Sequence, residues 1–494
     1  MTRAERDRRK KGSVMLLTTV ALLFLIPLVG LAVDASLAFV VKARLSTACD
    51  AAALAAARNL NVGLTISEQA EAARLRALAF FDANFPVNFM ASRNRTRSAT
   101  VAETGFRTRT VTVSGSAEAP VYFMGMFGYS YMTVQASGQA SRRDINLVLI
   151  LDRSNSMNNY GSCALMKTAA QTFVNMFAEG RDRLSLVVFG GSSILAFPRA
   201  QNFKTASPSV NTLIGQINCF GNTSMAQALS EGYNEIVAID EPGALNAIVL
   251  FTDGVPVSLT GSFPVKRQTD TRYTYNSPYS TTYSAPPSTC KDSAGRQYPN
   301  VSWNPADKIG NITTGSATGM TGATRGIIER VQPTMATTTE PLIADKNGCF
   351  IAANGEYHMR RDIAFIPNSD YYGNRTDCCY ITGLSTFTSG PYAGSIRPDR
   401  PTTLRQAATN AVDSAAIRIR ANDRLDPVIY TIGLGDPSDP TSIDELLLRR
   451  VANDPTSPIY DDTKQQGIYV YAANNTQLTM AFYRIASEVL RIAR

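Results

Sequence analysis

Three short polar segments contain the residues best suited to chemistry, and two of them directly follow apolar stretches. Asp152-Arg153-Ser154-Asn155-Ser156, a D-x-S-x-S pattern, follows the strand predicted over Ile145–Leu151, and Asp253-Gly254 follows the strand predicted over Asn246–Thr252. Gly221-Asn222-Thr223-Ser224 lies between them, just before a predicted helix. Carboxylate and hydroxyl oxygens suit a hard divalent cation, and Mg²⁺ keeps waters and open positions in its octahedral shell. We therefore predict a metal site formed by five side chains, namely Asp152, Ser154, Ser156, Thr223 and Asp253.

The arrangement of ligands suggests what the ion would do. If hydroxyls bind the ion directly and the acids act through water, the ion stays electron-poor and can accept a carboxylate from a partner protein. The alternative is that Asp152 and Asp253 only cap the helices that follow them, as Asp commonly does. D-x-S-x-S alone is a weak pattern, but the order of all three segments favours the metal site.

The elements that position these residues alternate between strand and helix, which predicts an α/β fold with a doubly wound parallel sheet. Nearly continuous apolar strands are typical of parallel sheets that are covered on both faces. Ligands of such folds bind beyond the carboxyl ends of the strands, where the polar segments lie. The strands are predicted over Ile145–Asp152, Leu184–Gly190, Asn246–Gly254 and Pro427–Gly435, and the helices over Ala164–Phe177, Ser224–Ala238, Leu404–Ala421 and Thr476–Ile492.

Residues 143–254 and 401–494 resemble the von Willebrand factor type A family with a metal-ion-dependent adhesion site. The five side chains fill the motif positions of that family, and YTIGLG (residues 430–435) resembles one of its later strands. The resemblance implies Mg²⁺, or Mn²⁺ or Ca²⁺, with Ser154 and Ser156 bound directly and Thr223 bound directly or through water. Asp152 and Asp253 would act mainly through water. Arg153 is atypical in charge within this motif. It would weaken metal binding if it pointed at the ion, and we expect it to point to solvent.

The N-terminus has the pattern of a membrane anchor. Ser13–Val33 contains 21 residues and no charge, and about 20 apolar residues cross a bilayer as a helix. A secretory signal has a shorter apolar run and a small-residue cleavage site. Residues 1–12 are basic, so the positive-inside rule places them in the cytoplasm and the remainder outside it. A core helix buried in a soluble protein is the less favoured alternative.

Residues 34–142 are predicted to form a small membrane-proximal α+β module. Ala35–Leu60 and Ser67–Asn84 have helical patterns, whereas Thr108–Ala119 and Tyr131–Ala140 alternate as half-buried strands do.

The N-terminal segment also resembles the TadE/TadG-like leader of tight-adherence (Flp) pilus assembly proteins. The matching residues are Gly12, Pro27, Gly30, Asp34, Asp50 and the alanine-rich stretch that follows. The full arrangement resembles TadG-like members, which implies a bacterial inner-membrane anchor, a periplasmic or surface-exposed body, and pilus assembly or pilin-like proteins as partners. Pilin-like members carry a Glu shortly after the processed glycine, and Ser13–Leu17 has none. We therefore expect an uncleaved anchor.

Residues 255–400 form a long insertion that leaves from the metal edge and can cover or extend it. Arg272–Ser288 is rich in Tyr, Ser, Thr and Pro, which fits a recognition loop and a flexible polar loop equally well. His358 is the single histidine of the chain, and a structural role is favoured over a catalytic one.

Seven cysteines would lie in an oxidising compartment. Cys163 follows the D-x-S-x-S loop and Cys219 precedes the Thr223 loop, so we predict a disulfide between them, with two separate thiols as the alternative. For the four cysteines of the insertion, a Cys378–Cys379 bond looks sterically awkward, which leaves two pairings that use Cys290 and Cys349. Cys49 is either a small core residue or a link between two copies. A zinc site is not indicated, because no C-x₂-C pair or histidine cluster occurs.

These observations favour a binding protein: a membrane-anchored pilus assembly or adhesion factor whose metal captures an acidic group of a protein partner. The alternative is a structural, pilin-like subunit in which the metal only stabilises the fold. An enzyme is disfavoured, because the sequence lacks a Walker loop and a G-x-S-x-G elbow. Nucleic-acid binding is also disfavoured, because the first eleven residues hold six Lys/Arg against two acids and so carry half of the net charge of +8.

Overall fold

The computed structural model describes residues 3–191, 193–219, 223–260, 365–390, 392–397, 401–435 and 442–492, together with short strands between residues 262 and 351. Cys290, Cys349, His358 and most of Arg272–Ser288 lie outside the described residues. The chain forms two compact units, one of residues 1–143 and one of residues 144–493.

The first unit begins with a long helix. Helix α1 spans Arg3–Arg58 and contains Pro27; helix α2 spans Ile66–Asn84. An 18-residue window of α1 reaches a mean hydropathy of 2.3 with only 11% of it buried, which makes α1 long and apolar enough to cross a membrane. Helix α2 begins with a capping box, in which the Thr65 side chain accepts a hydrogen bond from the Glu68 amide and the Glu68 carboxylate accepts one from the Thr65 amide.

The two helices pack on a three-stranded antiparallel sheet in the order β1-β2-β3, with strands at Arg93–Gly105, Thr108–Pro120 and Tyr131–Arg143. The core between them includes Leu45, Phe81 and Val113, all fully buried. Cys49 is also fully buried in this core, and its Sγ lies 3.5 Å from the Ala136 carbonyl. Of its two predicted roles, the structure therefore supports the small core residue.

The second unit contains a six-stranded sheet in the order β9-β8-β7-β4-β5-β6. Five strands are parallel, and the edge strand β6 runs antiparallel to β5. Only three residues separate β5 from β6, and a parallel crossover needs about a dozen. The strands are β4 (Ile145–Asp152), β5 (Arg183–Phe189), β6 (Ser193–Ala200), β7 (Leu245–Thr252), β8 (Val428–Leu434) and β9 (Tyr469–Ala472).

Helices cover both faces of this sheet, so the predicted doubly wound α/β class is confirmed. On one face, Leu149 packs with residues of α3, α4 and α8. On the other, Ile150 packs with residues of α5, α6 and α7. The helices are α3 (Ser162–Asn175), α4 (Val210–Gln216), α5 (Met225–Ile239), α6 (Pro401–Arg420), α7 (Glu445–Ala452) and α8 (Asn475–Ile492).

The last part of the insertion, residues 365–397, packs on the second of these faces. Ile366 and Ile396 join the core there, and the Asn374 side-chain amide donates a hydrogen bond to Ser230 Oγ of α5 at 3.0 Å.

One expectation about the insertion is wrong, because Cys378 and Cys379 form a disulfide with each other. The peptide bond between them is cis. Their Cα atoms are 3.1 Å apart, closer than the 3.8 Å across a trans peptide. The expectation that adjacent cysteines cannot pair had assumed a trans peptide bond.

Candidate metal site

The three polar segments meet at the carboxyl end of β5. The Arg153 amide donates a hydrogen bond to the Phe189 carbonyl, and the Ser224 amide donates one to the Gly190 carbonyl, both at 2.8 Å. The Thr223 carbonyl in turn accepts the Val257 amide at 3.1 Å, just beyond Asp253. The backbone thus fixes the loops to one another before any side chain is considered.

The hydroxyl groups of Ser154 and Ser156 converge on Asp253. The two Oγ atoms are 2.9 Å apart. Ser156 Oγ donates to Asp253 Oδ1 at 2.7 Å, and Ser154 Oγ lies 3.3 Å from the same oxygen. A Cβ atom built on Gly254 would lie 3.6 Å from Thr223 Oγ1 and 3.8 Å from Ser156 Oγ, so these two hydroxyls also face a common point.

Asp152 lies behind these hydroxyls and is fully buried. Its Oδ1 accepts the Ser154 amide at 2.7 Å, and its Oδ2 accepts the Thr252 hydroxyl at 2.6 Å. Thr252 is a neighbour of the candidate site that the motifs did not predict, although it directly precedes Asp253 at the end of β7. Its hydroxyl holds the Asp152 carboxylate in one orientation.

The two carboxylates are electrostatically unfavourable neighbours. Burial raises the pKa of Asp152. Burial also raises the pKa of Asp253, and the nearby charge of Asp152 raises it further. Within the described residues, neither carboxylate forms an ion pair with a lysine or arginine. A divalent cation beside them would offset both the desolvation and the repulsion, so this donor set fits such an ion.

Arg153 does not point to solvent, and that expectation is wrong. Arg153 is 6% exposed, and its Nη1 donates to the Asn218 carbonyl at 3.4 Å. Burial lowers the pKa of its guanidinium group. The Asn218 carbonyl, in the segment before the Thr223 loop, gives the guanidinium an acceptor that the motif alone does not reveal.

A disulfide joins the loops around the site, as predicted. Cys163 and Cys219 are bonded, with their Cα atoms 6.1 Å apart. The Asn158 side-chain amide adds a hydrogen bond to the Cys219 carbonyl at 2.8 Å. The start of α3, just after the D-x-S-x-S segment, is therefore linked covalently to the segment before Thr223, and Asn158 adds a hydrogen bond to the same segment.

The site differs from an ordinary cluster of metal ligands. Nowhere in the described residues do three or more His, Cys, Asp or Glu side chains gather in a way that could hold a metal ion. Here two carboxylates lie beside serine and threonine hydroxyls. Such a set favours a hard cation with an incomplete protein shell over zinc or copper.

Two protein families match parts of this chain. Residues 12–59 match the family described as putative Flp pilus-assembly TadE/G-like, and residues 147–255 match the von Willebrand factor type A domain. The chain therefore carries a TadE/G-like N-terminal region and a von Willebrand factor type A domain, as the motifs predicted. No curated protein matches the sequence.

Several solved structures resemble the chain weakly. The pilus adhesin SpaC from Lactobacillus rhamnosus GG has 12% identity and a TM-score of 0.36, with 81% of this chain covered and 35% of SpaC. The von Willebrand factor domain of the type V pili tip protein Mfa5 from Porphyromonas gingivalis has 18% identity and a TM-score of 0.36, with coverages of 72% and 98%. The chain thus spans about a third of the length of SpaC.

A third similar structure is proximal thread matrix protein 1 from the mussel byssus. It was solved with zinc in its MIDAS motif, the metal-ion-dependent adhesion site. It has 10% identity and a TM-score of 0.31, with 71% of this chain and 46% of that protein covered.

Proposed function

We propose that this protein is a membrane-anchored factor of pilus assembly or adhesion that binds an acidic group of a protein partner through a divalent cation. The observation that carries the proposal is the convergence of Ser154, Ser156 and Asp253 in front of the buried Asp152. The TadE/G-like region supports the connection with pili. The cation is Mg²⁺, Mn²⁺ or Ca²⁺, since all three accept oxygen ligands.

Each side chain has a separate role in this proposal. Ser154 and Ser156 bind the cation directly, and Thr223 binds it directly or through water. Asp152 and Asp253 act mainly through water and balance its charge. Because hydroxyl groups carry no formal charge, the cation keeps enough positive charge to attract a carboxylate of the partner.

The cellular arrangement follows from the charge pattern of the N-terminus. Residues 1–12 lie in the cytoplasm, α1 crosses the bacterial inner membrane once, and the rest of the chain lies in the periplasm or at the surface. The Cys163–Cys219 disulfide supports this placement, because disulfides persist in oxidising compartments. Pilus assembly or pilin-like proteins are the partners.

Calorimetry tests the metal site. The full-length protein in detergent micelles is stripped with a chelator and titrated with Mn²⁺. We expect one binding event for the natural protein and none for Asp152→Asn or Asp253→Asn. Asp462→Asn is the matched control, because Asp462 is exposed and belongs to the same unit. Equal Mn²⁺ binding by Asp152→Asn and the natural protein would contradict the proposed metal site.

A crosslinking pull-down from cells separates capture from structural stabilisation. If the cation holds a partner, a chelator and Ser154→Ala both abolish capture while the variant stays folded. If the cation only stabilises the fold, Ser154→Ala lowers the melting temperature and leaves capture intact.

A further inference from the structure

The connection between β2 and β3 is an uncharged aromatic loop. Residues 121–130 have the sequence VYFMGMFGYS, with four aromatic residues and no charge. The four aromatic side chains are largely open to solvent, since Tyr122 is 64% exposed, Phe123 37%, Phe127 67% and Tyr129 62%. Clustered exposed aromatic side chains mark an interaction surface, because water is a poor environment for them.

Helix α1 holds this loop through Asp34. The Asp34 carboxylate accepts the backbone amides of Tyr122, Phe123 and Met124 at 2.8, 2.9 and 2.8 Å. These amides lead into a short 3₁₀ turn at Met124–Phe127. Asp34 is fully buried by this arrangement. Hydrogen bonds to a charged acceptor are stronger than neutral ones, so these three bonds fix the position of the loop along the axis of α1.

A second contact lies one helical turn closer to the N-terminus. A Cβ atom built on Gly30 would lie 2.4 Å from the Phe123 ring. Gly30 therefore allows the ring to lie directly against the helix backbone, a distance that no other residue type permits. Gly30 and Asp34 together place the loop at one level of α1.

That level coincides with the end of the apolar segment. The uncharged run Ser13–Val33 has 21 residues, about 31 Å of helix at 1.5 Å per residue, and a bilayer core is about 30 Å thick. Gly30 lies just inside the end of this run, and Asp34 is the first charged residue after it. A membrane that α1 crosses would therefore have its non-cytoplasmic boundary at the height of the loop.

We infer that the loop of residues 121–130 inserts its aromatic side chains into the outer interface of the same membrane, so that lipid contacts this unit at a second place beside α1. Aromatic side chains of this kind concentrate at membrane–water interfaces. The hydroxyl groups of Tyr122, Tyr129 and Ser130 suit the lipid headgroups, and the aromatic rings suit the upper acyl chains. The inference rests on the membrane anchoring in the proposed function.

Tryptophan reporters in the full-length protein test the inference. The protein is reconstituted in phosphatidylethanolamine–phosphatidylglycerol vesicles of two kinds, one with bromine on the acyl chains close to the headgroup and one with bromine near the bilayer centre, and the bromine quenches nearby tryptophan. The native Trp303 is common to all variants, so differences report the added residue. Phe127→Trp places the probe in the loop, and Leu23→Trp places it within the apolar run. Phe106→Trp is the matched control, because Phe106 is 66% exposed at the far end of β2, about 40 Å away along a 13-residue strand.

The expected result is bromine quenching of Phe127→Trp and Leu23→Trp, with none of Phe106→Trp. Quenching of Leu23→Trp alone would overturn the inference and leave the membrane anchor intact. A Phe127→Trp emission that is shifted to the blue without quenching would assign the loop to a second copy or another protein, which also overturns it. Lack of quenching at Leu23→Trp would overturn the anchor and this inference together.

Discussion

Thr252 shows how much of the candidate site depends on residues beside the ligands. Its hydroxyl donates to the fully buried Asp152 and also accepts the Gly254 amide at 3.2 Å. One side chain thus orients the carboxylate of the first motif and the backbone of the last. A ligand search limited to acidic residues and D-x-S-x-S would pass over it.

Replacing this hydroxyl should cost both stability and metal affinity. Thr252→Val keeps the side-chain shape but removes the donor to Asp152, and leaving a buried charged acceptor short of a partner costs about 1–3 kcal/mol. Urea unfolding measures the stability and Mn²⁺ titration the affinity. Thr168→Val on the exposed face of α3 is the control. A Thr252→Val protein as stable as Thr168→Val would contradict the role of the hydroxyl.

The sequence predicts the members of the site better than their surroundings. Asp152 and Asp253 follow long apolar strands, so the sheet topology alone brings them to one edge. The buried Arg153 donates a hydrogen bond to the Asn218 carbonyl, 65 positions along the chain. Such a tertiary contact leaves no trace in local spacing, and this is why the solvent-facing expectation fails.

At the scale of elements, the disulfide joins the first turn of α3 to the segment that follows α4. Cys163 lies near the N-terminus of α3 and Cys219 follows α4. The two cysteines are 56 positions apart in the sequence. The D-x-S-x-S loop also depends on this link through Asn158 and the Cys219 carbonyl. We therefore expect the disulfide to hold the hydroxyls in place for the proposed cation.

Removing the disulfide should therefore weaken folding and metal binding together. For a loop of this length the chain-entropy model gives about 4 kcal/mol. We expect a Cys163→Ser, Cys219→Ser double variant to lose up to that amount in urea unfolding and to bind Mn²⁺ less tightly. Cys49→Ala serves as a cysteine control outside this unit. Unchanged Mn²⁺ affinity in the double variant would show that the link does not preorganise the site.

Asp34 gives a second prediction for an element, the loop of residues 121–130. Asp34→Ala removes the acceptor of three amides, and hydrogen bonds to charged groups contribute about 1.5–3 kcal/mol each. Amide hydrogen exchange at residues 122–124 should become at least about tenfold faster. Asp50→Ala, an exposed position further along α1, should leave this exchange unchanged. Equal exchange in the two variants would mean that Asp34 does not hold the loop.

Several elements that the sequence did not predict are either largely exposed or short. Strand β1 carries three arginines and is mostly exposed, and the edge strand β6 is only partly buried, so neither has a clear apolar pattern. Strand β9 has four residues and α4 has seven, too few for periodicity to emerge. The central strands β4 and β7 are buried at every position and are therefore the easiest to recognise.

At the scale of the whole molecule, the proposed topology makes a direct prediction. In the proposed topology residues 1–12 lie in the cytoplasm, and the chain after Val33 lies outside it. Protease added to spheroplasts should digest the von Willebrand factor type A domain and spare an epitope tag fused before Met1. Detergent lysis should expose the tag as the control. A tag digested in intact spheroplasts would reverse the orientation.

The central claim is that oxygen atoms from three separated segments hold one cation and leave it a position for the acid of a partner. Anomalous diffraction from crystals of the protein grown with Mn²⁺ tests it most directly. The account predicts a single strong manganese peak in contact with Ser154 Oγ and Ser156 Oγ, near Thr223, with at least one ligand that is water or a carboxylate from another molecule. A well-ordered site without manganese, or a manganese ion enclosed entirely by side chains of its own chain, would contradict the account.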